Sequence, residues 1–174
     1  MKINEIISQS GISLISYTVS NELKAEEFIN SLKFERNNNI TFEEILNSIK
    51  TKKNAKIHIT QPLTNLSPLQ QLIKQKHNLT TVFIRKLSYI SISNNLSIIL
   101  KSYRYNTFGT TVISGGNSPI YASSFVGIIE NNKLIVEKSR YSNIIEYNLD
   151  DILLRSVRKK KLENIEKNKT NWSL

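Results

Sequence analysis

Two side chains, Arg85 and Glu137, combine a chemically useful group with a setting that keeps it partly out of water. Read as a strand over 81–92, the segment alternates Arg85 with Phe83, Leu87 and Tyr89, which places the guanidinium on the aromatic face of a sheet. Such a group needs an anion, and the neighbouring sequence holds none. The partner is then a distant carboxylate or a ligand carboxylate held bidentately, unless the side chain sits at the sheet margin and reaches water. Glu137 alternates along Lys133–Ser139 so that it shares a face with Ile135. A half-buried glutamate has a raised pKa and acts as a general acid or base, whereas a solvent-facing one pairs with Lys138 or Arg140. Ser114-Gly115-Gly116-Asn117 has the composition of a phosphate nest, but no Lys-Ser/Thr pair and no helix start follow it, so it reads as a turn. His58, inside Lys-Ile-His-Ile-Thr, reads as a structural histidine.

The elements that must position these groups fall in two halves. Asn21 can cap a helix from Glu22 to Phe34 with Leu23, Phe28, Ile29 and Leu32 on its apolar stripe. Thr41 and Glu44 form the Thr-x-x-Glu pattern that opens a shorter helix carrying Phe42, Ile45, Leu46 and Ile49. A strand over Ala55–Gln61 stops at Pro62, and Ser67-Pro68 opens a third helix. Two hairpins follow, one pairing 81–92 with 96–105 across Ser93-Asn94-Asn95, the other pairing 120–130 with 133–139 across Asn131-Asn132. Helices first and strands second give an α+β expectation: an antiparallel sheet of five to six strands with helices packed on one face. Residues 1–148 read as one domain. Residues 149–174 read as a basic amphipathic helix, from Leu149 to Lys167 and including the run Arg158 to Lys161, followed by a tail.

Composition narrows the function classes. The chain has no cysteine and only two histidines, His58 and His77, which excludes thiolate nucleophiles and disulfides and argues against a metal site. No cofactor is called for. The 26 isoleucines and 21 asparagines carry the bias of an AT-rich genome, such as an organelle's. No apolar stretch reaches membrane-spanning length, and Met1–Ser20 is too interrupted by polar residues for a signal peptide. The expected location is therefore the plastid stroma if organelle-encoded, otherwise the cytoplasm. The formal net charge of +10 is unevenly spread: no Asp or Glu lies between Glu44 and Glu130, while ten Lys or Arg fall there. That surface attracts anions, whether a small dicarboxylate, a phosphate or a nucleic-acid backbone.

The order of features over residues 28–139 resembles the chorismate pyruvate-lyase family. The likeness runs through Leu32-Lys33-Phe34-Glu35-Arg36, Asn38-Asn39-Ile40-Thr41, Ile45-Leu46-Asn47 and Lys56-Ile57-His58-Ile59-Thr60-Gln61. It continues through Phe83-Ile84-Arg85-Lys86-Leu87, Ile98-Ile99-Leu100-Lys101-Ser102, Thr107-Phe108-Gly109 and Lys133-Leu134-Ile135-Val136-Glu137. The resemblance implies a cofactor-independent lyase that eliminates pyruvate from chorismate to give 4-hydroxybenzoate. By the same matching Arg85 falls on the arginine that holds the substrate carboxylate, Glu137 on the active-site glutamate, and Ile40, Lys101 and Gly109 on substrate-binding positions. The sequence differs from the family in having Asn38 and Asn39 for acidic residues, Lys101 for a small residue and Ser123-Ser124 for paired arginines.

Two other readings stand beside it. One is a non-catalytic binding domain for a small carboxylate, as in the effector-sensing domains of HutC-type repressors, which are similar to chorismate lyase. The other is a nucleic-acid-binding protein of an AT-rich organelle, using the basic window, Tyr103, Tyr105 and the basic tail.

Overall fold

A computed structural model describes residues 2–67, 76–107, 110–140, 146–155 and 157–158. The chain starts with a short helix, α1 (Ile3–Ile7), and enters β1 (Gly11–Tyr17), every residue of which is buried. Such all-round burial marks a strand covered on both faces. Then come α2 (Glu22–Ser31), β2 (Glu35–Asn37), α3 (Phe42–Lys50) and β3 (Lys56–Pro62). The second half holds α4 (Lys76–Ser93), β4 (Ser97–Thr107), β5 (Thr110–Ile113), α5 (Ser118–Ala122), β6 (Phe125–Glu130), β7 (Lys133–Ser139) and β8 (Glu146–Asn148). Residues 149–155 are helical again.

The fold is mixed α/β. Its eight-stranded sheet has the order β2-β3-β4-β1-β6-β7-β8, with β5 folded back on the far end of β4. Strands β2, β3, β4, β1 and β6 run parallel, and only β5, β7 and β8 join antiparallel. This corrects the antiparallel sheet of five to six strands. The reason lies in 81–92, expected as a hairpin arm and found inside α4. Phe83, Ile84, Leu87 and Ser91 are its buried positions, a helical spacing that outweighs the β-branched composition. With a helix between β3 and β4, the two strands are joined by a crossover and lie parallel.

Helices cover both faces, not one. Along β1, Ile12 and Leu14 face a core shared with α3, α4 and α5 through Phe42, Ile45, Phe83, Leu87 and Ile120. Ile15 and Tyr17 face a second core shared with α1, α2 and Leu149. The α2 stripe is narrower than expected: Phe28, Ile29 and Leu32 are buried, but Leu23 is 72% exposed. Asn21 precedes α2 without capping it and donates from Nδ2 to Thr18 Oγ1.

Other expectations hold. Thr41 Oγ1 accepts from the Glu44 amide and starts α3. The β6–β7 hairpin turns at Asn131 and Asn132, whose φ values of 47° and 64° are the left-handed pair that a tight two-residue turn requires. The helix expected at Ser67-Pro68 falls largely outside the described residues, as does the tail beyond residue 158.

The crossover from β1 to β2 carries α2 over one face, whereas those leading to β3, β4 and β6 carry α3, α4 and α5 over the other. Connections thus diverge from the neighbouring pair β1 and β4. In open α/β sheets the crevice outside the carboxyl ends of such a pair is where ligands bind.

Candidate functional site

Three places in the described structure collect chemistry-bearing side chains. The largest is a groove between α3 and α4, with a volume of about 540 Å³. Glu43, Leu46, Asn47 and Lys50 follow one another at helical spacing on α3, and Arg85, Lys86, Tyr89 and Ile90 do so on α4. Leu46 and Ile90 are partly buried, and Lys50, Arg85 and Lys86 are exposed along with the groove's single aromatic, Tyr89, at 74%. Lys50, Arg85 and Lys86 make no ion pair among the described residues, so their charge faces solvent.

The second place is a smaller notch of about 230 Å³ at the end of β1, between β4 and β6. The last register of β1 sets Tyr17 against Tyr103 on one side and Ile129 on the other. Beyond it β4 runs on to Thr107 and β6 to Glu130. Thr18, Arg104, Asn106, Thr111, Ile129 and Glu130 are among its lining residues. Arg104 donates from Nη2 to Glu137 Oε1 at 2.7 Å, while its Nε is buried without an acceptor.

The third is a buried polar layer on the α2 side of the sheet. Lys101, 4% exposed, is ion-paired with Glu26 of α2, and Tyr103 donates to Glu22 at 2.9 Å. Tyr17 Oη and His58 Nε2 are buried there without partners. Burial, followed by the charges on Lys101 and Arg36, pushes the His58 imidazole down to about 3, so it is neutral at physiological pH. Burial also raises the Tyr17 phenol, with Tyr103, Glu26 and Glu22 adding to the effect. These rings and charges fill a packed region and hold α2 against β1 and β4.

The sequence-predicted site residues are dispersed. Arg85 is exposed on α4 and lines the groove; its expected place on an aromatic strand face is corrected by the helix. Glu137 sits on β7 and does meet a guanidinium, but that of Arg104. Lys101 is consumed by its ion pair, Ile40 is 54% exposed ahead of α3, and Gly109 lies outside the described residues. Neither of the two cavities described is lined by both Arg85 and Glu137. Arg104 and Glu130 went unpredicted as site residues, although Glu130 ends a β-rich run and Arg104 lies near the end of another, the place where a parallel sheet presents side chains to ligands.

No model of a known protein family matches the chain, and no curated protein matches its sequence.

Proposed function

We propose that the protein binds single-stranded nucleic acid along the groove between α3 and α4. The observation that carries this reading is the lining of that groove: Lys50, Arg85 and Lys86, without ion pairs among the described residues, set beside the exposed ring of Tyr89. Cations spaced along an open trough suit a phosphate backbone, and an exposed aromatic ring offers a face on which a base stacks. Among the side chains lining the groove, Glu43 is the only acid, and it sits at the start of α3 rather than beside Lys50. Lys50 sits in the last turn of α3, at the opposite end of the helix from Glu43.

The lyase reading needs a guanidinium and a carboxylate turned into one enclosed cavity. Arg85 instead faces an open groove and Glu137 is engaged by Arg104, an arrangement better suited to a polymer passing through than to a small enclosed substrate.

The test is fluorescence anisotropy with a labelled single-stranded RNA oligonucleotide over a range of salt concentrations. Three phosphate contacts give a slope of log affinity against log salt of about −2. Tyr89→Ala weakens binding by about tenfold at fixed salt, the loss of one stacked base, and leaves the slope unchanged. Arg85→Ala and Lys86→Ala each flatten the slope by about 0.7. All three side chains are exposed, so the variants keep their fold. Binding that ignores salt, or that survives the triple variant intact, rules the reading out.

A further inference from the structure

We infer that the notch at the carboxyl end of β1 is a binding site for a small zwitterion of the α-amino-acid class, its carboxylate met by Arg104 and its ammonium by Glu130. The notch arises from the lengths of three strands. β1 stops at Tyr17 while β4 continues to Thr107 on one side and β6 by one residue, to Glu130, on the other, which leaves a gap one strand wide. Neighbouring strands stand about 4.8 Å apart, so the walls are separated by about 10 Å, the room that one extended chain or a molecule of similar girth occupies. The volume of about 230 Å³ suits a ligand of amino-acid size and is too small for a cofactor. The gap lies beside the β1–β4 divergence, where open α/β sheets receive ligands.

The lining selects the charge type. Arg104, on the β4 wall, uses Nη2 on Glu137 and leaves Nε without an acceptor. Buried donors are nearly always partnered, so this guanidinium keeps hydrogen-bonding capacity that the protein leaves unused. Glu130, on the β6 wall, is exposed and makes no ion pair among the described residues. A simple dianion meets Glu130 and Glu137 and is repelled; a simple cation meets Arg104. A molecule carrying one charge of each sign satisfies both walls. Ile128, two residues before Glu130 and so on the same face of β6, supplies an apolar wall for its carbon skeleton. Asn106 accepts from Thr111 Oγ1 at 2.9 Å through Oδ1, which leaves its amide donors for the ligand. Thr18 is held by Ser20 and Asn21 and fixes the loop that closes the gap below.

The site shares no residue with the α3–α4 groove, so the two stand or fall separately. The experiment is a thermal-shift screen of the full chain against each standard α-amino acid, followed by calorimetric titration of any that raise Tm. Each is run beside its analogue lacking the amine and its analogue lacking the carboxylate. At least one amino acid raises Tm and both of its truncated analogues fail to. Glu130→Gln, a change at an exposed position, weakens that ligand by about tenfold, the loss of one charge-assisted hydrogen bond, while Glu130→Asp retains most of the affinity. RNA binding is the same in both variants. The inference is overturned if no amino acid shifts Tm, if an analogue without the amine binds as well as the parent, or if Glu130→Gln binds as tightly as the wild type.

Discussion

The ion pair between Lys101 and Glu26 should respond asymmetrically when one partner or the other is removed. Lys101 is 4% exposed and Glu26 is 28% exposed, so only the carboxylate has a route to water. In Glu26→Ala the ammonium stays in the sheet layer beneath α2 with no counter-charge, and breaking a buried pair in that way costs about 3–5 kcal/mol. Partial access to water places the expected loss near the bottom of that range, about 3 kcal/mol. In Lys101→Met the stem is kept, the buried charge is gone and Glu26 turns outward, so the loss is under about 1 kcal/mol. The double variant should resemble Lys101→Met alone, because once the ammonium is absent the carboxylate has nothing to compensate. Urea denaturation at neutral pH measures all three differences, with the slope against denaturant confirming that one transition is being compared. Two outcomes refute the reasoning: Lys101→Met as damaging as Glu26→Ala, or a double variant whose loss is the sum of the two. A second readout is independent of stability. Lys101 is one of the charges that depress His58, so Lys101→Met raises the pKa of that imidazole from its value of about 3, a change that NMR titration detects.

His58 itself sets an acid limb. Its pKa is about 3 in the fold and 6.5 in the unfolded chain, so between those values the unfolded state binds the extra proton; stability is full above pH 6.5 and falls as pH drops toward 3. His58→Leu flattens that limb in urea melts collected across the range, and an unchanged profile would remove His58 as a cause. Gly127→Ala places a methyl 2.8 Å from Leu134 Cδ1 and 2.9 Å from Phe125 Cε1 in the β6–β7 core, so it destabilises by about 1–3 kcal/mol through forced repacking, measured by thermal or urea melts. Thr41→Ala removes the hydroxyl that accepts the Glu44 amide at the start of α3 and lowers stability by about 1 kcal/mol, whereas Thr41→Ser, which keeps the acceptor, stays close to the wild type in the same assay.

Where the local code was unambiguous, the elements could be read from residues alone. Thr41 with Glu44, the paired asparagines at 131–132, and the strand at Lys56–Pro62 all rest on short-range chemistry that tertiary packing has no reason to override. The segment 81–92 was misread because Thr, Val and Ile are common in strands and their composition hid a helical spacing of buried positions. That one substitution of strand for helix also reversed the reading of the sheet, since strand direction follows from what joins the strands. β1 went unassigned although it is the centre of the sheet, because a strand buried on both faces loses the polar and apolar alternation that announces a strand. For the site, Glu137 reads from the sequence as an acid/base group or as a surface partner of Lys138 or Arg140, and the structure pairs it with Arg104. Arg104 and Glu137 are 33 residues apart and are brought together by the order of β4, β1, β6 and β7, which no local pattern records.

The acid-free stretch between Glu44 and Glu130 acquires its meaning from this topology. It contains α3's last turn, β3, α4 and β4, so its exposed cations emerge mainly on the α3–α4 side of the sheet. Apart from Glu43 and Glu44 in the first turn of α3, the acids collect elsewhere and many are engaged: Glu26 with Lys101, Glu22 with Tyr103, Asp150 with Lys24 at 3.6 Å, Glu146 with Lys133 at 2.7 Å and Glu137 with Arg104. The α2 side therefore presents matched charges, while Lys50, Arg85 and Lys86 make no ion pair among the described residues on the other. An approaching polyanion is drawn to the groove and not to the notch, whose lining sets Glu130 beside Arg104. This separation gives a kinetic signature. Replacing Lys50 and Lys86 with glutamate slows association with single-stranded RNA most strongly at low salt and least at high salt, because steering by exposed charge is screened within about 10 Å at 0.1 M. Stopped-flow association rates that drop equally at every salt concentration would mean that these lysines act by contact alone, and that the one-sided field plays no part in capture.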